Sequence, residues 1–313
     1  KLIRTDIRVV EFLSPASPTR QALEEFDRVY GGINVVQLEI DSGRANGIND
    51  LPFLRYVERV QGFAGAQAGV SGAYSYAQLL AMMNQIWEQE KPKSLRLPDT
   101  PLLLNIYIAA LKARDYPFLR ALADESGQRA YVIVRTRDMP SARYLRLVDG
   151  VVAFAQANKP RGVNVSAAEG IYSILEADRR IRRAQVDTAL LTLGAVWLAL
   201  ALLWRSIWFA LLSILTNIIP VGLVLGLAGF MDIPLNSITV MVAAIVLGIA
   251  VDDSVHFITW WRDEHRRTGD LAASLAGTLR VKGAPIIWTS VILICIFGPF
   301  VIFSFPPVKH FGV

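Results

Sequence analysis

Two adjacent carboxylates, Asp252 and Asp253, stand at the end of an uncharged run that begins at Ile233. Read as a helix from about Asn236 to Trp261, the run places them roughly 24 Å from its start, at 1.5 Å per residue. That is still inside a hydrocarbon layer about 30 Å thick. An ionisable group at that depth costs about 3 kcal/mol or more and marks a functional site by default. Two carboxylates side by side in a low-dielectric setting resist being charged together. One of them therefore holds a proton, and gaining or losing it changes how the helix packs. The chemistry is reversible proton binding, not bond-breaking catalysis. His256 lies four residues after Asp252 and three after Asp253, so it shares their side of a helix and is a candidate third member of a relay. Ser254, Thr289 and Ser290 are candidate hydrogen-bond partners. Each has a plainer reading: a structural polar network for the aspartates, an interfacial polar residue for His256, and small packing residues for the hydroxyls.

The elements that must position this pair are four apolar segments. Thr188–Trp204 has 17 residues without a charge, Ile207–Met231 has 25, Ile233–Val251 has 19 and Pro285–Val308 has 24. Each approaches or exceeds the roughly 20 residues that cross a bilayer as a helix. Trp204, Trp208, Trp260 and Trp261 sit near segment ends, where aromatic belts form. The expected spans are about 186–204, 207–231, 233–261 and 284–305. An amphipathic link at about 262–283 carries Arg262, Arg266, Arg267, Arg280 and Lys282, which puts it in the cytoplasm. Arg205 is then also inside, and Asp232 and the first half of the chain lie outside. Arg179, Arg180, Arg182 and Arg183 oppose that assignment. Extension of the first helix beyond the bilayer accounts for them, because long translocated domains obey the charge rule poorly. Asn217 and Pro220 interrupt the second span and read as a local kink.

Residues 1–170 read as a soluble domain. Asp6–Leu13 is an expected strand, Arg20–Tyr30 a helix after Ser17-Pro18-Thr19, and Ile33–Ile40 a second strand. Gln128–Thr136, Ser141–Asn158 and Gly162–Ser166 repeat the order strand, helix, strand. Two βαβ units with a helical insert at about 51–122 make an α+β domain of ferredoxin-like type. It precedes an all-α membrane bundle at 171–313. Within the insert, Met82, Met83 and Trp87 are candidates for a lipid-binding surface, since methionine adapts to varied apolar shapes; ordinary core packing is the plainer reading. The three histidines all lie in the second half. No nucleophile–base pair, phosphate loop or metal cluster is visible, so no cofactor, metal or enzymatic activity is expected.

Composition agrees with this division. Of the 313 residues, 53% are hydrophobic and 19% charged, and the mean hydropathy of +0.38 is high for a soluble protein. The net charge of +5 gathers beside apolar segments, where it sets topology or meets lipid head groups, so nucleic acid is not expected as a partner. Cys295 is the sole cysteine and excludes an internal disulfide. Residue 1 is Lys, with no leader before the soluble half, and Phe311-Gly312-Val313 stops where another helix can begin. Both ends read as truncations.

Three stretches resemble the resistance-nodulation-division (RND) superfamily, especially its hydrophobe/amphiphile exporters and the MmpL and Patched-like proteins. They are Thr216-Asn217-Ile218-Ile219-Pro220, Ile233-Pro234-Leu235-Asn236, and Gly248-Ile249-Ala250-Val251-Asp252-Asp253-Ser254-Val255-His256-Phe257. The basic link before Pro285, Ser304-Phe305-Pro306-Pro307 and Phe311-Gly312 are similar too. The resemblance implies that the soluble half is a porter domain and that Asp252 and Asp253 belong to a proton-relay site. Inward proton flow would then drive export of a hopanoid, sterol, fatty acid or related lipid. It implies a bacterial inner-membrane protein with its soluble domain in the periplasm, and spans eight to eleven of twelve. The partners implied are the missing N-terminal half, protons, the membrane and a homo-oligomer or periplasmic proteins. Drug-efflux members place the acidic pair in the first half, so an acidic pair in the second fits the lipid-exporting branches. Other readings are a lipid- or sterol-sensing receptor without transport, an accessory of protein translocation, and an intramembrane aspartyl protease. The protease needs its acids on two helices, whereas these adjoin on one.

Overall fold

The computed structural model describes residues 6–87, 95–113, 117–167 and 170–303, together with 306, 308 and 309. Ser304, Phe305, Pro307 and Phe311-Gly312, part of the similarity near the C-terminal end, lie outside the described residues. The chain divides into two compact units. One comprises Arg8–Val10 and Ala16–Glu176, and the other is mainly the chain from Ala177 onward.

The first of these, the sheet-bearing unit, is built on strict alternation. Along β1 (Asn34–Asp41), Val36, Leu38 and Ile40 are buried while Val35, Gln37 and Glu39 are not. Between β1 and the next strand lies α2 (Leu51–Gly65), after α1 (Pro18–Tyr30) at the start of the unit. Next come β2 (Val70–Ser75), α3 (Tyr76–Trp87), α4 (Pro101–Lys112), α5 (Pro117–Leu122), β3 (Arg129–Thr136), α6 (Ser141–Ala157) and β4 (Asn164–Ala167). β3 alternates in phase with β1, so Val36 faces Val134, Leu38 faces Val132 and Ile40 faces Ala130 on the buried side. A slip of one residue would turn the three side chains of the slipped strand to the other face. The sheet order is β2-β3-β1-β4 with every neighbouring pair antiparallel. Thus β1–α2–β2 and β3–α6–β4 interleave, each unit's two strands flanking one strand of the other. α2 and α6 contribute Leu54, Val57, Val60, Tyr144, Val148 and Val151 to one apolar core with the sheet. The buried Tyr56 hydroxyl donates to the Ala155 carbonyl at 2.7 Å and ties α2 to α6. Burial pushes this phenol up to about 12, which keeps it protonated as a donor.

Two expectations are corrected. Asp6–Leu13 forms no strand: Val9–Phe12 is a 3-10 turn. The buried residues there, Ile7 and Val10, are three apart, the spacing of one face of a 3-10 helix. The expected insert at 51–122 also contains the crossover helix α2 and the strand β2 of the first βαβ unit, so the insertion itself begins at Tyr76. Val-Ser-Gly-Ala-Tyr-Ser has weak strand propensity, and its pairing with β3, irregular between Val70 and Gly72, overrides that weakness.

In the second unit, four helices are long and apolar enough to cross a membrane. They are α7 (Ile171–Trp204), α8 (Ile207–Phe230), α9 (Ser237–Thr268) and α10 (Leu271–Phe297), the last followed by a 3-10 turn at Gly298–Ile302. The link expected at 262–283 is not a separate element. It is the end of α9 and the start of α10, divided at Gly269, whose φ of 66° is left-handed, and Asp270, which caps α10 by accepting from the Ala272 N–H at 2.9 Å. α8 is one helix through Pro220, not an interrupted one. Asn236 and Thr239 form a reciprocal capping box at the start of α9. Many large apolar side chains, among them Leu191, Leu202, Leu223 and Ile294, are exposed, as the surface of a lipid-solvated unit must be. Arg182, one of the basic residues that strain the charge rule, pairs with Asp178 at 2.8 Å and donates to the Leu235 carbonyl at 3.2 Å. Asp178 also accepts from the Ser237 N–H at 3.0 Å. This side chain therefore anchors the entry to α9.

Leu54→Ala removes a fully buried side chain and is expected to cost about 2 to 5 kcal/mol, read as loss of hydrogen-exchange protection in β1 and β3. Arg182→Ala is expected to raise exchange at Leu235–Ser237 selectively, leaving β1 unchanged.

Candidate functional site

Asp252 and Asp253 stand near the middle of α9, about 22 Å from its first residue at 1.5 Å per residue. Successive residues on an α-helix point about 100° apart, so the two carboxylates leave α9 in different directions. Asp253, Ser254, Phe257, Ile258 and Trp261 line a cavity of about 420 Å³ whose other walls are Leu212 and Thr216 of α8 and Leu275 and Ile286 of α10. Apart from Asp253, Ser254 and Thr216 the lining is apolar. Asp253 is the one acid in this lining.

Asp252 looks elsewhere. Its side chain is 71% exposed and lies 3.6 Å from Nε2 of His256, itself 64% exposed. This is an ion-pair separation once the imidazole is protonated. An acid and an imidazole on a membrane helix are costly to leave in lipid, so this face of α9 demands polar or protein cover. The structure thus brings His256 to Asp252, while Asp253 belongs to the cavity.

The hydroxyls divide in the same way. Ser254 Oγ donates to Asn217 Oδ1 at 2.7 Å. Thr289 Oγ1 and Ser290 Oγ both donate to the Ile286 carbonyl of their own helix, at 2.8 and 3.0 Å, and neither lines the cavity. Asn217 was legible in the sequence only as part of a kink; here it is fully buried and holds α8 to α9 beside the acidic pair. Ser213, one turn earlier, is also fully buried, and Thr216 Oγ1 donates to its carbonyl at 2.7 Å. Polar residues four apart on an otherwise apolar helix are the signal that marks this seam. Ser213 Oγ and Asn217 Nδ2 have no partner among the described residues. Pro220, lacking an N–H, leaves the Thr216 carbonyl without its helical donor. This stretch of α8 therefore keeps spare hydrogen-bonding capacity next to Asp253.

Below the aspartates the helices are clamped. Trp204 Nε1 donates to Thr259 Oγ1 at 3.1 Å, and Arg262 donates to the Trp204 carbonyl at 3.0 Å while its guanidinium sits 4.8 Å from the Phe209 ring centroid. Lys282 lies 5.0 Å from the centroid of Trp260.

In the sheet-bearing unit, Met82 and Trp87 are exposed, and Met83 packs partly buried against the core. α3 turns Tyr76, Ala77, Leu80, Ala81 and Asn84 inward instead. None of the three candidates lines the cavity at Asp253. Among the described residues, no group of three or more His, Cys, Asp or Glu is placed to hold a metal ion.

Ser254→Ala leaves the buried Asn217 carbonyl oxygen unsatisfied. The expected cost to the membrane unit is about 0.6 to 2 kcal/mol, measured by thermal unfolding in detergent, and Ser254→Thr is expected to recover most of it.

The MMPL family pattern matches residues 58–313. No match is found among curated proteins. Among solved structures, the chain is similar to one described as the X-ray crystal structure of a heavy metal efflux pump, crystal form I. The TM-score is 0.45 at 15% sequence identity, covering 91% of this chain and 32% of that one. The chain therefore spans about a third of that protein's length. The family match takes in β2, β3 and all four long helices, with Asn217, Asp252 and Asp253 among them, and this chain belongs to the MMPL family of the RND superfamily.

Proposed function

We propose that this chain is the C-terminal half of an RND-type exporter that moves lipids or other hydrophobic molecules at the expense of the proton-motive force. The observation that carries the reading is Asp253, an acid in the middle of a membrane helix at a largely apolar cavity between α8 and α10. Protonation makes that environment favourable, and deprotonation demands water or a counter-charge. Proton binding and release therefore favour different packings of α9 against its neighbours. Asp252 and His256 form the second element of the relay on the adjoining face, where further helices of the transporter would cover them. Thr289 and Ser290 on α10 become partners only in the alternate packing, because their hydroxyls are engaged with Ile286 in this one.

In this reading α7–α10 lie in a bacterial inner membrane and the soluble unit is a periplasmic porter domain. The unit takes substrate from the outer leaflet, alone or with periplasmic partners or further copies of the transporter. Met82, Met83 and Trp87 offer it an adaptable apolar surface. One proton crossing 100 mV supplies about 2.3 kcal/mol, enough to bias a two-state packing equilibrium about fiftyfold. No cofactor takes part.

The test is lipid movement in liposomes carrying the full-length transporter, with and without an inward proton gradient. Asp253→Asn is expected to reduce gradient-driven transport at least a hundredfold and Asp252→Asn at least tenfold, with the protein still folded. Lipid binding without gradient-dependent movement, unchanged in both variants, would replace the exporter with a lipid-sensing receptor.

A further inference from the structure

A larger cavity, of about 700 Å³, lies in the soluble unit. Its walls are the C-terminal end of α1, the start of β2 and the segment that joins β3 to α6. Its charged lining is three arginines, Arg28, Arg137 and Arg143, against one acid, Asp138. These groups are not equivalent. Arg28 is held by Glu25 at 2.6 Å, and Asp138 is paired with Arg8 at 3.8 Å while its side chain is only 6% exposed. Burial pushes the Asp138 carboxyl above its ordinary range, with Arg8 opposing. Arg143 makes one long contact, 3.4 Å to the Ala68 carbonyl. The Arg137 side chain has no partner among the described residues. Two cationic forks are thus available in a concave site.

The backbone keeps the site open. Gly31 and Gly69 both have left-handed φ, 76° and 98°. A Cβ at Gly69 would lie 2.7 Å from Cε of Met139, so a side chain there would displace the floor of the cavity.

The rim is apolar. No residue of α1 is buried, and its apolar residues Phe26, Val29 and Tyr30 are exposed, with the Phe26 and Tyr30 rings 4.5 Å apart. Val29 and Tyr30 also line the cavity, so an apolar strip on α1 runs directly into the basic site. A planar guanidinium matches the oxygens of a phosphate or carboxylate, and an exposed apolar strip matches an alkyl chain.

We propose that this cavity binds the oxyanion headgroup of an amphiphile, a phosphate or a carboxylate, between Arg137 and Arg143, with the chain lying along Val29 and Tyr30. The proposal gives the exported lipid a headgroup chemistry and rests on the export reading for the ligand's fate, though not for binding itself.

Binding is measured on the full chain in a neutral maltoside detergent. The probes are oleoyl-lysophosphatidate, oleate, uncharged monooleoylglycerol and inorganic phosphate. Lysophosphatidate and oleate are expected to bind saturably, monooleoylglycerol at least tenfold more weakly, and inorganic phosphate not to compete at equal concentration. Arg137→Gln with Arg143→Gln is expected to weaken lysophosphatidate at least tenfold. Arg161→Gln, an exposed arginine outside the cavity, should leave it unchanged. Equal binding of monooleoylglycerol, or wild-type affinity in the double variant, overturns the proposal, and competition by inorganic phosphate at equal concentration overturns its lipid source. Binding that survives where gradient-driven transport is absent removes the exporter and leaves the pocket standing.

Discussion

In hydrocarbon there is no water to complete the hydrogen bonds of a polar side chain, and a buried polar group on a membrane helix is costly unless another part of the protein answers it. The mid-helix segment of α9 follows from that constraint. Ser254 is answered by Asn217 across the α8–α9 contact, and Asp253 faces a cavity that offers it little but apolar wall. Asp252 and His256 answer each other on the adjoining face. This short stretch therefore bears on how α8, α9 and α10 pack.

The neighbouring elements make that stretch a definite place. The capping box at Asn236 and the Arg182–Asp178 pair fix where α9 begins, and the Trp204–Thr259 and Arg262–Trp204 bonds fix its register against α7 lower down. Between these anchors, in the middle of the bundle, α8 and α9 are joined by the Ser254–Asn217 hydrogen bond. Orphaned polar atoms of Ser213 and Asn217 lie in that middle region, where a second arrangement would find partners for them.

The sheet-bearing unit is organised differently. Its sheet is held by in-phase alternation of β1 and β3, and its two βαβ units interleave so that neither can bury its apolar face without the other. That leaves α1, whose exposed apolar residues meet a basic hollow, as the least self-sufficient part of the unit. An apolar strip ending at guanidinium groups complements an anionic amphiphile.

Much of this was legible in residue order. Hydropathy alone marks the four long helices, because about 20 apolar residues have few other uses, and the cost of charge in hydrocarbon singles out Asp252 and Asp253. Local alternation locates β1, β3 and β4. The strand β2 was hidden, since Val70–Ser75 owes its form to pairing with β3, a partner about 60 residues away whose hydrogen bonds no local pattern reveals. Asp6–Leu13 failed in the opposite sense: β-like composition without a neighbouring strand to pair with. The link after α9 carries a helical pattern on both sides of Gly269, and only the left-handed turn there shows where one helix stops. Most of all, sequence places Asp252, Asp253, His256, Thr289 and Ser290 in one depth range but cannot say which way each points. The helical rotation of 100° per residue and the packing of α8 and α10 sent Asp253 inward and Asp252 outward, turned Thr289 and Ser290 back onto their own helix, and raised Asn217 from a kink to a contact.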